Sequence, residues 1–244
     1  MVTVELEPKD RLIVALDCGA TEAVQLAHAL RATVRWLKVG MTLFYQEGPA
    51  IVMELQRLGY DIFLDLKLHD IPHQVSGAAH AVSGLGVQML TVHASGGEAM
   101  MRSACEGARS GAVLTGVKPP SVIAVTVLTS MGDDGLSSIG VDRPAEAQVP
   151  LLVDLAMSSG VDGIVCSPLE SAGVRASIGP NALVVTPGVR PEWSEKGDQN
   201  RITTPGDALS RGASHLVIGR PITAASSPVE AARRIIAEME GATR

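Results

Sequence analysis

The chain has 244 residues, 46% of them apolar, and a formal net charge of −6. Lys and Arg are scattered, with Arg233-Arg234 the one adjacent pair, and there are only two residues each of Phe, Trp and Tyr, so the chain offers neither a basic stripe nor a stacking platform, and nucleic acid is excluded as a partner. Cys18, Cys105 and Cys166 lack CxxC spacing, which excludes a disulfide framework or zinc centre and leaves them as small buried apolar side chains.

At the N-terminus, Glu5, Glu7, Lys9 and Asp10 interrupt any apolar leader. No later run approaches the roughly 18 consecutive apolar residues of a membrane span, so no membrane partner is expected and the reduced cytoplasm is the expected compartment. Eight β-like runs follow, at 12–17, 36–40, 62–67, 89–94, 122–128, 163–167, 183–188 and 215–220. Helical patterns separate them, among them 21–30, 49–58, 74–83 and 149–159, and the last, 228–240, puts Val229, Ala232, Ile235, Ile236 and Met239 on one stripe.

Eight strand–helix units without a linker match a (β/α)₈ barrel, which takes about 250 residues, and the expected organisation is one α/β domain spanning 1–244. A doubly wound sheet is the alternative, because periodicity does not prove closure. The polar residues favour the barrel. Asp17, Lys38, Asp65, Lys67 and His93 all fall toward the C-terminal ends of expected strands among aliphatic neighbours, and the C-terminal rim of a barrel gathers such groups into one mouth.

The third strand is the most informative. Period-two alternation sends Ile62, Leu64 and Leu66 to one face and Phe63, Asp65 and Lys67 to the other, with Asp70 just past the strand end. Two carboxylates, Asp65 and Asp70, are thus expected to flank the Lys67 ammonium. Lys38 and Asp17, from the first two strands, are expected to point into the same mouth as an opposite-charge pair. Buried ion pairs are poor value for stability, so charges repeated at adjacent inward positions point to function.

Ala15-Leu16-Asp17, Lys38-Val39-Gly40, the Asp65/Lys67/Asp70-Ile71-Pro72 run, Val92-His93-Ala94-Ser95-Gly96-Gly97, Leu128-Thr129-Ser130, Thr186-Pro187-Gly188-Val189-Arg190, Gly197-Asp198-Gln199 and Gly219-Arg220, in that order, closely resemble bacterial orotidine 5'-phosphate decarboxylases. The resemblance implies a (β/α)₈ homodimer that converts orotidine 5'-monophosphate to UMP and CO₂ with no metal and no organic cofactor. It implies that Lys67, Asp65, Asp70 and Lys38 are catalytic and that Asp70 reaches the active site of the opposite subunit. It further implies substrate contacts from Asp17, Lys38, Asp65, Ile71, Thr129, Ser130, Pro187, Arg190, Gln199, Gly219 and Arg220, with Thr129 and Ser130, at the end of the fifth strand, on the base.

Chemistry supports the reading. A site without an electron sink must stabilise the C6 carbanion electrostatically and protonate it, and Lys67 fits both tasks. Loops after strands seven and eight commonly form the phosphate pocket of this fold; Gly188, Arg190, Gly219 and Arg220 lie there, with Pro221 suited to a first helical turn. The polar loop 191–199 reads as a lid. One departure is Gln74, where relatives usually carry Thr; Gln74 is kept among the expected substrate contacts, its longer amide substituting for a Thr contact to ribose or phosphate across the dimer interface. His93 reads as rim support or a core histidine, and His69 and His73 carry no assigned role. Two rivals remain: a Mg²⁺-dependent sugar-phosphate lyase or decarboxylase of the same suprafamily, which would place an acid where this chain has Lys38, and a non-catalytic nucleotide-phosphate binding barrel.

Overall fold

A computed structural model describes residues 6–194 and 203–241. Helix α1 (Pro8–Arg11) leads into β1 (Leu12–Leu16), and α2 (Ala20–Leu30) returns the chain to β2 (Trp36–Gly40). After α3 (Met41–Glu47) and α4 (Pro49–Arg57) come β3 (Asp61–Leu68), α5 (Pro72–Ser83), β4 (Met89–His93), α6 (Glu98–Thr115) and β5 (Ser121–Val125). Then follow α7 (Asp133–Ser138), α8 (Ala145–Ser158), β6 (Gly163–Val165), α9 (Ser171–Ile178), β7 (Leu183–Pro187), α10 (Pro205–Ser210), β8 (His215–Ile218), α11 (Arg220–Thr223) and α12 (Pro228–Gly241). All neighbouring strands pair in parallel, and β1 pairs with β8, so the sheet closes into a (β/α)₈ barrel.

Both faces of each strand are apolar because both are covered. Ile13, Ala15, Phe63, Met89, Ile123, Val125, Val165, Val185 and Val217 pack inside the barrel. Their alternate neighbours, such as Val14, Leu16, Ile62, Leu64 and Leu90, join the larger layer beneath the helices. The stripe on α12 lies against that layer as expected, with Ala232, Ile235 and Met239 fully buried. Helices α5 and α6 meet at backbone contact. A Cβ at Gly111 would lie 2.0 Å from the His80 carbonyl oxygen, and one at Gly107 2.2 Å from that of Ser76, so only glycine permits the approach.

Some boundaries differ from the expected ones. Strand β5 stops at Val125 rather than reaching residue 128, because both its neighbours end opposite Val125, β4 at His93 and β6 at Val165; the Thr126 N–H makes the last ladder bond, to the Val165 carbonyl at 3.3 Å, and the Thr126 hydroxyl donates to the same oxygen at 3.2 Å. Thr129 and Ser130 therefore sit exposed in the following loop, not at a strand end. Strand β8 stops at Ile218, and Arg220 opens α11 instead of ending the strand. Cys105 and Cys166 are buried as expected, whereas Cys18 is only half-buried; all three are free thiols. Among the described residues no helix is long and apolar enough to cross a membrane.

The barrel floor carries an edge-to-face pair, Trp36 against His215, with ring centroids 5.4 Å apart. Burial, aided by the nearby Arg11 charge, pushes the His215 imidazole down to about 4. The unfolded chain then binds a proton that the native one refuses between that value and the ordinary 6.5. This contribution to stability is complete above about pH 6.5 and is lost as pH falls toward 4, by up to roughly 3 kcal/mol. His215→Asn is expected to flatten the pH dependence of Tm across that window; an unchanged slope in thermal melts would show that His215 does not set it.

Candidate active site

The site is built on an irregularity in β3. Leu64 pairs with Leu90 but Leu68 pairs with Val92, so three residues of β3 stand opposite Thr91 alone. Within this bulge Lys67 adopts φ 51°, and it is the one non-glycine residue with positive φ among those described. Such a conformation costs about 1–3 kcal/mol and persists only where surrounding contacts hold it. Here the Lys67 N–H donates to Thr91 Oγ1 at 2.8 Å, and Lys67 Nζ lies 2.8 Å from both Asp65 carboxylate oxygens.

Charges alternate along the rim. Lys38 Nζ donates to Asp17 Oδ1 at 2.9 Å and stands 3.5 Å from Asp65 Oδ2, giving the chain Asp17–Lys38–Asp65–Lys67. A Cβ on Gly40 would come within 3.1 Å of Lys38 Nζ, so the glycine leaves room for the ammonium. Burial works to raise the Asp65 pKa, but the Lys38 and Lys67 charges, with hydrogen bonds from Lys67 and Thr91, outweigh it and hold the carboxyl below its ordinary value. Asp65 is thus an anion at neutral pH, pinned between two ammoniums.

This chain forms one wall of a cavity of about 330 Å³ at the C-terminal mouth. Pro187 at the end of β7 with Gly188 and Arg190 after it, and Gly219 and Arg220 after β8, form the facing wall, and Thr129 also lines it. Its floor is apolar, from Ala15, Phe63, Val125, Val165 and Val217. Ser130 lines an adjoining cavity of about 420 Å³ that shares Thr129 and Arg220. Gly188 takes φ +82°, a turn that brings buried Arg190 back toward the mouth, where its N–H donates to the Thr203 carbonyl at 3.1 Å and closes the base of the intervening loop.

Other expected residues lie elsewhere. Asp70 does not flank Lys67 within its own chain: it is exposed, and its carboxylate accepts the Ile71 N–H at 2.6 Å. Ile71 and Gln74 are exposed beside it on the outer rim and line neither cavity. Gln199 lies outside the described residues. His93 is half-buried at the end of β4, its ring 5.5 Å from that of His69. Burial lowers its pKa, helped by the His69 and Lys67 charges and opposed by Asp65.

Sequence reasoning missed Thr91. The signal was available: positions 89, 91 and 93 alternate inward on β4, which sets a hydroxyl at the level of Asp65, and its own hydroxyl donates to Asp65 Oδ1 at 3.0 Å. Trp193 falls in the loop expected as a lid, and its contact was not foreseen: its ring lies 4.3 Å beneath the Arg234 guanidinium of α12.

A closed parallel barrel with this charged C-terminal mouth defines a (β/α)₈-barrel enzyme. The chain belongs to the orotidine 5'-phosphate decarboxylase / HUMPS family, whose model matches residues 10–235. It is 50% identical over 227 residues to the orotidine 5'-phosphate decarboxylase of Paramagnetospirillum magneticum, covering 93% of this chain and 97% of that protein. The Moorella thermoacetica orotidine 5'-phosphate decarboxylase is 47% identical, with 97% and 95% covered. The crystal structure of orotidine 5'-phosphate decarboxylase from Lactobacillus acidophilus superposes with a TM-score of 0.84 at 40% identity, covering 94% of this chain and 99% of that one.

Proposed function

We propose that this chain, as one barrel domain, decarboxylates orotidine 5'-monophosphate to UMP in pyrimidine biosynthesis, using neither metal nor organic cofactor. The observation that carries the reading is the Lys67 ammonium, held at 2.8 Å on Asp65 with its side chain 26% exposed toward the cavity. The C6–carboxylate bond breaks, its electron pair stays on C6 and CO₂ departs. Lys67 stabilises the growing negative charge and transfers a proton to C6, forming the C–H bond; the resulting amine regains its proton from solvent. Because the charges are already fixed in place by one another, little reorganisation is needed as the charge develops.

Asp17 and Lys38 are suited to the ribose hydroxyls, and Thr129 with Ser130 to the polar edge of the base. Arg190 and Arg220, with the close backbone approach that Gly219 permits beside Pro187, suit the phosphate; planar guanidinium groups make charge-assisted contacts with it. Gln199 is assigned to the same phosphate by resemblance alone. Binding of that remote group supplies energy for chemistry at C6.

The functional unit in this reading is a homodimer in which Asp70 completes the partner's site. Its support is the outer rim, where Asp70 turns away from Lys67 and Ile71 and Tyr45 are 62% and 73% exposed. Gln74 on that rim takes the position at which relatives usually carry Thr, as a longer donor and acceptor. The three free thiols suit a reducing cytoplasm.

A magnesium-dependent reading is disfavoured by Lys38, whose ammonium lies between Asp17 and Asp65 and would repel a divalent cation there. The test is the fall in ultraviolet absorbance of orotidine 5'-monophosphate on adding the purified protein. Turnover is expected to be equal with and without excess EDTA. No absorbance change would overturn the proposal, and loss of activity on chelation would overturn its cofactor independence.

A further inference from the structure

We infer that Thr91 is a positioning residue for catalysis: its hydroxyl locks the β3 bulge so that Lys67 and Asp65 face the substrate as one unit. The inference rests on the function proposed above and extends it to a strand without a residue in the proposed machinery.

Thr91 is fully buried and sits on β4 opposite the bulge. Its Oγ1 accepts the Lys67 N–H at 2.8 Å and donates to Asp65 Oδ1 at 3.0 Å. A hydroxyl is the smallest side-chain group that can accept and donate at once. Without the bulge, residues 65 and 67 would be next neighbours on one strand face, with Cα atoms about 7 Å apart and side chains standing roughly parallel. The left-handed turn at Lys67 bends the main chain, and Nζ folds back onto both Asp65 oxygens.

That turn is unfavourable for a residue with a Cβ, and its N–H has left the regular ladder. Thr91 supplies the missing acceptor and, through the same atom, fixes the rotation of the carboxylate that holds the ammonium. The far end of the segment has a separate anchor. His69 lies against His93, ring centroids 5.5 Å apart and planes tilted by 37°, and packs over Gly96, where a Cβ would come within 3.2 Å of the ring. Losing the Thr91 hydroxyl therefore loosens Lys67 and Asp65 without releasing the loop that carries Asp70.

The experiment compares kcat and KM for orotidine 5'-monophosphate in wild type, Thr91→Val, Thr91→Ser and Lys67→Ala. Misplacement by about 1 Å can cost on the order of 100-fold, so Thr91→Val is expected to lower kcat about 10- to 100-fold. KM should stay within about threefold, because the phosphate wall is untouched, and Thr91→Ser should recover kcat to within about threefold of wild type. If Thr91→Val does not fold, Thr91→Cys takes its place with the same expectation, since a thiol is a weak partner in both directions.

Wild-type kcat in Thr91→Val, or a Thr91→Ser variant as slow as Thr91→Val, would overturn the inference. Should Lys67→Ala be inactive while Thr91→Val turns over normally, only the role of Thr91 falls. Should Lys67→Ala stay active, the proposed chemistry falls and this inference with it.

Discussion

Lys67→Ala is expected to reduce kcat/KM by at least about 10⁴-fold, since it removes two contributions carried by one atom. An electrostatic donor aimed at developing charge is worth about 10²–10³ in rate. A positioned general acid contributes about 10²–10⁴. The loss should appear in kcat, because the two arginines across the cavity from Lys67, to which the proposed function gives the phosphate, are left in place. UMP affinity measured by calorimetry should change by less than about tenfold, which separates lost chemistry from a collapsed site.

Lys67→Arg is not expected to rescue, as a guanidinium keeps its proton and its planar fork does not fit an ammonium's place between Asp65 and the substrate. In Lys67→Ala the Asp65 carboxyl loses one of the two ammoniums that hold its pKa down, so this variant should be less stable at neutral pH and its stability should depend less on pH in the carboxylate range. Stability contributed by Asp65 is present above the ordinary carboxylate range and is lost as pH falls through its depressed folded value; without Lys67 that window narrows, so less is present at neutral pH and less is lost on acidification. Turnover of Lys67→Ala within tenfold of wild type would refute the assignment.

A mixture of two dead proteins is expected to regain activity. If Asp70 completes the site of the opposite subunit, Lys67→Ala and Asp70→Asn homodimers each lack one essential group in both sites. In a mixed dimer one site receives intact Lys67 from one chain and intact Asp70 from the other, and the remaining site lacks both. Random subunit exchange makes half of the dimers mixed, so about one quarter of wild-type activity should return, following the two-fold relation of the interface. The expectation comes from the family resemblance, and it is compatible with Asp70 accepting the Ile71 N–H of its own loop instead of pairing with Lys67. Absence of recovery after exchange has been verified by mass labelling would mean that Asp70 does not act across an interface.

Much of this site was legible along the chain. Inward charges at Asp17, Lys38, Asp65 and Lys67 interrupt otherwise aliphatic alternation, and alternation is local: it needs no knowledge of neighbouring strands. The eight strands and the stripe on α12 followed from the same short-range periodicities. The facing wall after β7 and β8 was also legible, once eight units implied a barrel.

What escaped depends on register between strands distant in sequence. At the bulge the Lys67 N–H finds its acceptor on Thr91, 24 positions on. The early end of β5 follows from its neighbours, since β4 and β6 end at His93 and Val165, both opposite Val125. The sharing of Lys38 between Asp17 and Asp65 and the outward turn of Asp70 are equally matters of who sits opposite whom. Residue order by itself determined which side chains face the barrel mouth, because pleating is a property of each strand alone. Only tertiary structure decided how those side chains pair, because a hydrogen bond needs two partners in register, and closure of the sheet sets that register.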